Sequence, residues 1–183
     1  MCNLADSESE SDYTYNAASA HDAMTDATTA PHIRLSHADD DEFILGLVPR
    51  FVAFDLPPWR KRSETLAGIR DDIARHLREL PPASHLYVAE DEDGERLGFL
   101  HLQTQKDFFT GVLNCHISDV VVAPEQDGKG IGSALLAFAE RWAKEHRCRY
   151  LTLGVFPGNE RAQALYKRHG YGVETLRMAK AVK

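Results

Sequence analysis

The chain has 183 residues, 43% hydrophobic and 27% charged, with a formal net charge of −7. This describes one ordinary globular domain with enough chain for a full core. It excludes a membrane span, which needs roughly 18 consecutive apolar residues, a secretory signal, and the basic footprint of a nucleic-acid binder.

Residues 1–31 carry six acids and no Lys or Arg, while the rest holds all 21 basic residues against 22 acids. The segment is rich in Ser, Thr, Ala and Asp and lacks Ile, Val, Phe and Trp. It buries too little apolar surface to offset its chain entropy and reads as a disordered acidic tail. Residues 32–183 read as the folded domain. Residues 32–35 (HIRL) are a short strand. Ser36, with Asp39 three residues on, starts a helix carrying Phe43, Leu47 and Phe51 at helical spacing. The loop FDLPPWRKR follows, where Pro57 and Pro58 forbid helix. A second helix places Leu66, Ile69, Ile73, Leu77 and Leu80 on one stripe and stops at Pro81 and Pro82. Two strands, 85–90 and 96–103, flank the turn DEDGE.

After the loop KDFFTG comes a long strand, 112–122 (VLNCHISDVVV). Residues 130–147 form an amphipathic helix with Ile131, Leu135, Ala139 and Trp142 inward. A strand over 150–156, a helix from Asn159 to His169 stopped by Gly170, and one or two short strands over 171–182 complete the chain. The order is βααβββαβαβ. Three widely spaced cysteines (Cys2, Cys115, Cys148) form no C-x-x-C, which argues against a disulfide framework or zinc site and fits a reducing cytoplasm. No metal is expected.

The segment VVVAPEQDGKGIGSALL runs a strand into a turn with glycines at 128, 130 and 132 and then into a helix. Free N–H groups at such a helix start attract phosphate, and glycines let a ligand approach the backbone. The Walker pattern fails, since no Gly-Lys-Ser/Thr occurs, and so does G-x-G-x-x-G, whose third position is Leu135 or Ser133.

Two signatures together resemble the GNAT superfamily of acyl-CoA-dependent N-acetyltransferases. The first, [Q/R]-x-x-G-x-[G/A], has Gly130 and Gly132 as its last two positions. The second, N-x-x-A-x-x-x-Y-x-x-x-G-[FY], is met by Asn159, Ala162, Tyr166, Gly170 and Tyr171. The order of elements matches as well, and the resemblance covers about 32–183. It implies a single α/β (α+β) domain with a mixed, mostly antiparallel central sheet flanked by helices. It implies an acetyl-CoA-dependent transferase acting on a small-molecule primary amine through a ternary complex. The alternatives are transfer to a protein N-terminus or lysine, and a non-enzymatic acyl-CoA-binding module. A homodimer fits such folds.

Carried onto this chain, the resemblance makes Val120, Val121 and Val122 the strand edge for the pantetheine amides. Asp127, Gly128, Lys129, Gly130, Ile131, Gly132 and Ser133 become the pyrophosphate cradle. Asn159 and Ala162 become coenzyme contacts, and Tyr166, two helical turns from Asn159, the group that protonates the leaving thiolate. Asp127 departs from the pattern: a carboxylate replaces Gln or Arg and predicts weakened coenzyme binding, with Lys129 in partial compensation. Attack by an amine also needs a base, and His116 and Asp119 are both candidates. On a regular strand they face opposite ways, and a bulge would bring them together. The flanking loops and the third strand offer Phe51, Phe54, Trp59, Arg60, His101, Phe108 and Phe109 as an acceptor wall.

Overall fold

The computed structural model describes residues 30–182. The disordered-tail expectation for 1–31 therefore falls almost wholly outside the described residues. Five strands form one sheet in the order β1-β2-β3-β4-β5: His32–Leu35, Ser84–Glu90, Arg96–Lys106, Leu113–Val122 and Leu151–Leu153. The first three pairings are antiparallel and β4 pairs with β5 in parallel. Helices α1 (Asp41–Gly46) and α2 (Arg62–Glu79) cover one face, and α3 (Ile131–Glu145) and α4 (Glu160–Arg168) the other.

Each face has its own core, as alternation along strands requires. Leu100, Leu102, Cys115 and Ile117 pack with Ile131, Leu135, Ala139 and Trp142 of α3. Leu86, Val88, Phe99 and Val121 pack with Ile44 and Ile73. Trp142 reaches across its core to donate Nε1–H to the Tyr87 hydroxyl at 2.6 Å. That bond satisfies a buried indole which would otherwise lie unpaired.

Four local expectations need correction. The first helix is broken into a 3-10 turn (Ala38–Asp40), α1, and a second 3-10 stretch (Val48–Val52). Pro49 has no N–H to continue an α-helical ladder. The start is set at His37 rather than Ser36, and the His37 N–H donates to Asp40 Oδ2 at 2.9 Å. Leu80 leaves the apolar stripe of α2, being 71% exposed and adopting φ 44° as the left-handed residue after the helix. Pro81 behind it disfavours the right-handed helical conformation there.

Residues 171–182 form no strand. β5 ends after three residues, and a gap of about 820 Å³ lies between Leu151–Gly154 and the C-terminal stretch Tyr171–Arg177. So short an edge offers few ladder bonds.

Candidate active site

A cleft of about 720 Å³ opens where β4 runs out into the helix start of α3. Val120, Val121 and Val122 form its floor; Gly128, Gly130, Ile131, Gly132 and Ser133 form one wall, and Asn159, Ala162 and Tyr166 another. Segments some 30 residues apart in sequence thus meet at one place. Gly128 and Gly130 have φ of 81° and 84°, a region that side chains resist. The first helical N–H with a backbone acceptor is that of Ala134, on the Gly130 carbonyl at 3.0 Å. The helix start leaves the N–H groups of Ile131, Gly132 and Ser133 available to an anion. At Gly132 a side chain would press on Leu165 at 3.1 Å, so this glycine also lets α4 close against α3. Asn159 caps α4 through its side-chain oxygen, which accepts from the Ala162 N–H at 3.2 Å. These residues suit a diphosphate-bearing coenzyme: backbone donors at the helix start, and a valine strand edge beside them.

Asp127 is not an isolated negative charge. Both its oxygens accept from Arg50 Nη2, at 2.7 and 2.9 Å, and Oδ2 accepts from Arg161 Nη1 at 2.5 Å. The Arg161 bond, then that of Arg50, holds the carboxyl below its usual range against the opposing effect of burial. The triad carries one net positive charge at the cleft. Arg50 and Arg161 lie 77 and 34 residues from Asp127, and no local sequence signal joins them. A side chain at Gly158 would run into the Asp55 carbonyl, so the turn before α4 is pressed against the opposite wall. Lys129 is exposed and does not line the cleft.

β4 carries the bulge that decides the two base candidates. Its register with β3 pairs Asp119 with His101 and Ile117 with Leu102, leaving Ser118 as an extra residue. Parity reverses there. Cys115 and Ile117 face the α3 core before it, and Val120 and Val122 face that core after it. His116 and Asp119 consequently share the α2 face. Burial pushes the His116 imidazole down, the Asp119 charge opposing, so the ring is held neutral. Its Nδ1 lies 2.9 Å from Thr152 Oγ1. Burial, with the Asp119 charge adding to it, pushes the Tyr166 hydroxyl up to about 12. Tyr166 therefore keeps its proton at neutral pH and stands ready as a donor. Cys115 points to the other face, and burial pushes its thiol up to about 12. A Cys115–His116 nucleophile is absent.

The acceptor wall divides. Phe51 and Phe54 line the cleft, the first packed edge-on to Phe99 and the second against Phe156. Trp59 and Arg60 are exposed on the following loop and do not line it. Phe108 and Phe109 sit on the β3–β4 hairpin, 92% and 71% exposed, at the opposite end of β4 from the cradle. The antiparallel hairpin forces that placement. His101 is wholly buried under α2 and does not line the cleft, because α2 covers that row of the sheet. Among the described residues no group of three His, Cys, Asp or Glu could hold a metal, and no helix is long and apolar enough to cross a membrane.

The family model described as "Acetyltransferase (GNAT) family" matches residues 48–171. A Bacillus subtilis (strain 168) protein described as a candidate ribosomal protein bS18-alanine N-acetyltransferase is 30% identical over 108 residues, 59% of this chain. The match spans 66% of that relative, just under two thirds. An aminoalkylphosphonate N-acetyltransferase of Salmonella typhimurium is 32% identical over 154 residues, covering 83% of this chain and 93% of its own. Among solved structures, a candidate acetyl transferase from Pyrococcus furiosus superposes with a TM-score of 0.65 at 28% identity, over 83% of this chain and 99% of that one.

Proposed function

The chain belongs to the GNAT acetyltransferase family, and from that premise we propose that it transfers an acetyl group from acetyl-CoA to a primary amine of a small molecule. What carries the reading is one cleft lined by both signature segments, the glycine cradle after β4 and the Asn159–Tyr166 face of α4. The valine edge pairs with the pantetheine amides as an added strand would. The N–H groups of Ile131, Gly132 and Ser133 hold the pyrophosphate. Arg50 and Arg161 add positive charge, which offsets the carboxylate of Asp127.

The reaction needs no covalent enzyme intermediate. The acceptor enters as an ammonium ion and gives a proton to a base on the α2 face, where Asp119 and His116 both lie. Its nitrogen lone pair then forms the N–C bond as the C–S bond breaks. The sulfur takes the proton of the Tyr166 hydroxyl, the nitrogen gives its second proton to water as the amide forms, and water reprotonates Tyr166, so that one proton is released net. Phe51 and Phe54 form the apolar side of the acceptor site. A small acceptor is favoured by the Salmonella typhimurium relative, matched over nearly its whole length. The Bacillus subtilis relative favours a second reading, transfer to a protein N-terminus.

Thermal melting with acetyl-CoA, against adenosine diphosphate as control, tests the donor half. A ligand that binds only the folded state raises the melting point. Release of free thiol with 2-aminoethylphosphonate, S-(2-aminoethyl)cysteine and an alanine-initiated hexapeptide then separates the two acceptor classes. Tyr166→Phe should lower kcat about tenfold or more and leave acetyl-CoA affinity within twofold; equal kcat would remove the acid role.

A further inference from the structure

The α2 face of the sheet is apolar except for one buried row of hydrogen-bonding side chains. His101 is 0% exposed and His76 6%. Each bond in the row fixes the direction of the next, because a carbonyl only accepts and an amide nitrogen only donates. His76 Nδ1 lies 2.9 Å from the Asp72 carbonyl, so Nδ1 carries the proton and Nε2 must accept. The Gln103 amide nitrogen donates to that Nε2 at 2.8 Å. The same amide nitrogen faces His101 Nε2 at 3.3 Å, and Ser84 Oγ lies 2.7 Å from it. The amide nitrogen can only donate, so Nε2 accepts, the Ser84 hydroxyl turns to donate to it as well, and His101 carries its proton on Nδ1. That N–H donates to Asp119 Oδ2 at 2.8 Å.

From this accounting we infer that His101 is a positioning residue that holds and aims the Asp119 carboxylate, and that Asp119 rather than His116 takes the proton from the acceptor amine. The inference rests on the acetyltransferase reading above. The other Asp119 oxygen takes no hydrogen bond from a described residue, and it is not among the sealed, unpaired polar atoms. It receives the ammonium proton before the nitrogen lone pair forms the N–C bond, and water later removes it. His101 keeps its own proton throughout.

Ser84, His101 and Asp119 stand in the order of a nucleophilic triad. None of the three lines the cleft, and they differ in reach: the His101 side chain is sealed, whereas 11% of the Asp119 side chain is exposed, next to Val120 on the cleft floor. The Ser84 hydroxyl sets a tautomer and attacks nothing. Asp119 in turn lies close enough to Tyr166 for its charge to act on the hydroxyl, so proton acceptor and proton donor adjoin. The titratable groups facing the pair are His76 from α2, with Asp72 one turn before it, His116 from β4 and Tyr166 from α4; His85 stands on the opposite face of the sheet, against Trp142.

The test is a pH profile of kcat/KM by thiol release, using whichever of the three amines named above wild type acetylates fastest, with acetyl-CoA affinity measured separately. Removing a donor from a carboxylate favours its protonated form. His101→Leu should therefore move the acidic limb up by about one pH unit, which lowers kcat/KM about tenfold at pH values below the limb, with acetyl-CoA affinity within twofold. His101→Asn keeps a donor near the Nδ1 position and should restore most of the wild-type profile. Should the leucine variant not fold, Ser84→Ala, a half-buried site at the start of β2, should move the limb in the same direction by less. An acidic limb that stays in place in these variants overturns the inference while leaving the acetyltransferase reading intact. Failure of wild type to acetylate any of the amines overturns both, and the acetyl-CoA melting shift then tells whether the donor site survives.

Discussion

Two carboxylates in this fold, Asp40 and Asp127, each sit between two arginines, and they serve opposite ends. Asp40 is 0% exposed. It accepts from Arg34 at 2.7 and 3.1 Å, from Arg96 at 2.6 Å and from the His37 N–H at 2.9 Å. These bonds tie β1, β3 and the first 3-10 turn into one corner. Burial alone would push this carboxyl up; the Arg34, His37 and Arg96 bonds outweigh burial and hold it well below the usual range. The Asp127 side chain is 30% exposed, and its partner Arg161 66%. Its arginines come from the two walls of an open cleft. The same three charges make a structural corner where water is excluded and a ligand-facing cluster where water enters. Burial, rather than residue type, separates the two roles.

Removing each carboxylate should break the likeness. Asp40→Ala leaves two arginines around a buried hole and should cost about 3–5 kcal/mol of folding stability, read by urea denaturation. A loss below about 1 kcal/mol would place Asp40 with the surface pairs. Its pH dependence follows from the sign of its shift. The folded carboxyl titrates below the unfolded one, so its contribution is present above about pH 4 and is lost as pH falls below that. Acid unfolding of Asp40→Asn should accordingly depend less on pH in that range than that of wild type.

At the cleft the readout moves from stability to affinity. Arg50→Ala with Arg161→Ala should weaken acetyl-CoA binding about tenfold in calorimetry and change folding stability by about 1 kcal/mol or less. The smallest effect is expected for Asp127→Asn. It removes one negative charge facing an anionic ligand and should tighten acetyl-CoA binding about threefold at low salt, less as salt screens it. Weaker binding instead would mean that the carboxylate is needed to hold the arginines in place.

Asp127 also marks where the sequence stops being legible. The glycine turn, the α3 stripe and the Asn159–Tyr166 face are local patterns, and each stands where its spacing predicts. Read alone, Asp127 is a charge penalty, because its partners come from a 3-10 stretch and a helix far along the chain. His101 looks like a pocket residue until α2 is laid over it. Phe108 and Phe109 are close in sequence to the strand of the site, but the hairpin carries them to its far end. The strands expected over 171–182 have suitable residues and no edge long enough to receive them. Local patterns encode elements; which elements cover or oppose one another depends on packing across the whole chain.

The bulge at Ser118 sets how β4 tolerates change. A substitution on β4 alters one side chain. Deleting Ser118 removes the unpaired residue itself, so Ile117 would stand next to Asp119 opposite Leu102 and His101, and the pairing with β3 would survive. An added residue has no such slack: if the cradle stayed fixed, His116 would turn toward α3 and Cys115 and Ile117 toward α2. The strand is thus tolerant of losing its one spare residue and fragile to gaining another. Insertions should be purged from Ile117–Val122 far more strongly than substitutions or the deletion of Ser118, a bias that a deep mutational library containing all three kinds would expose.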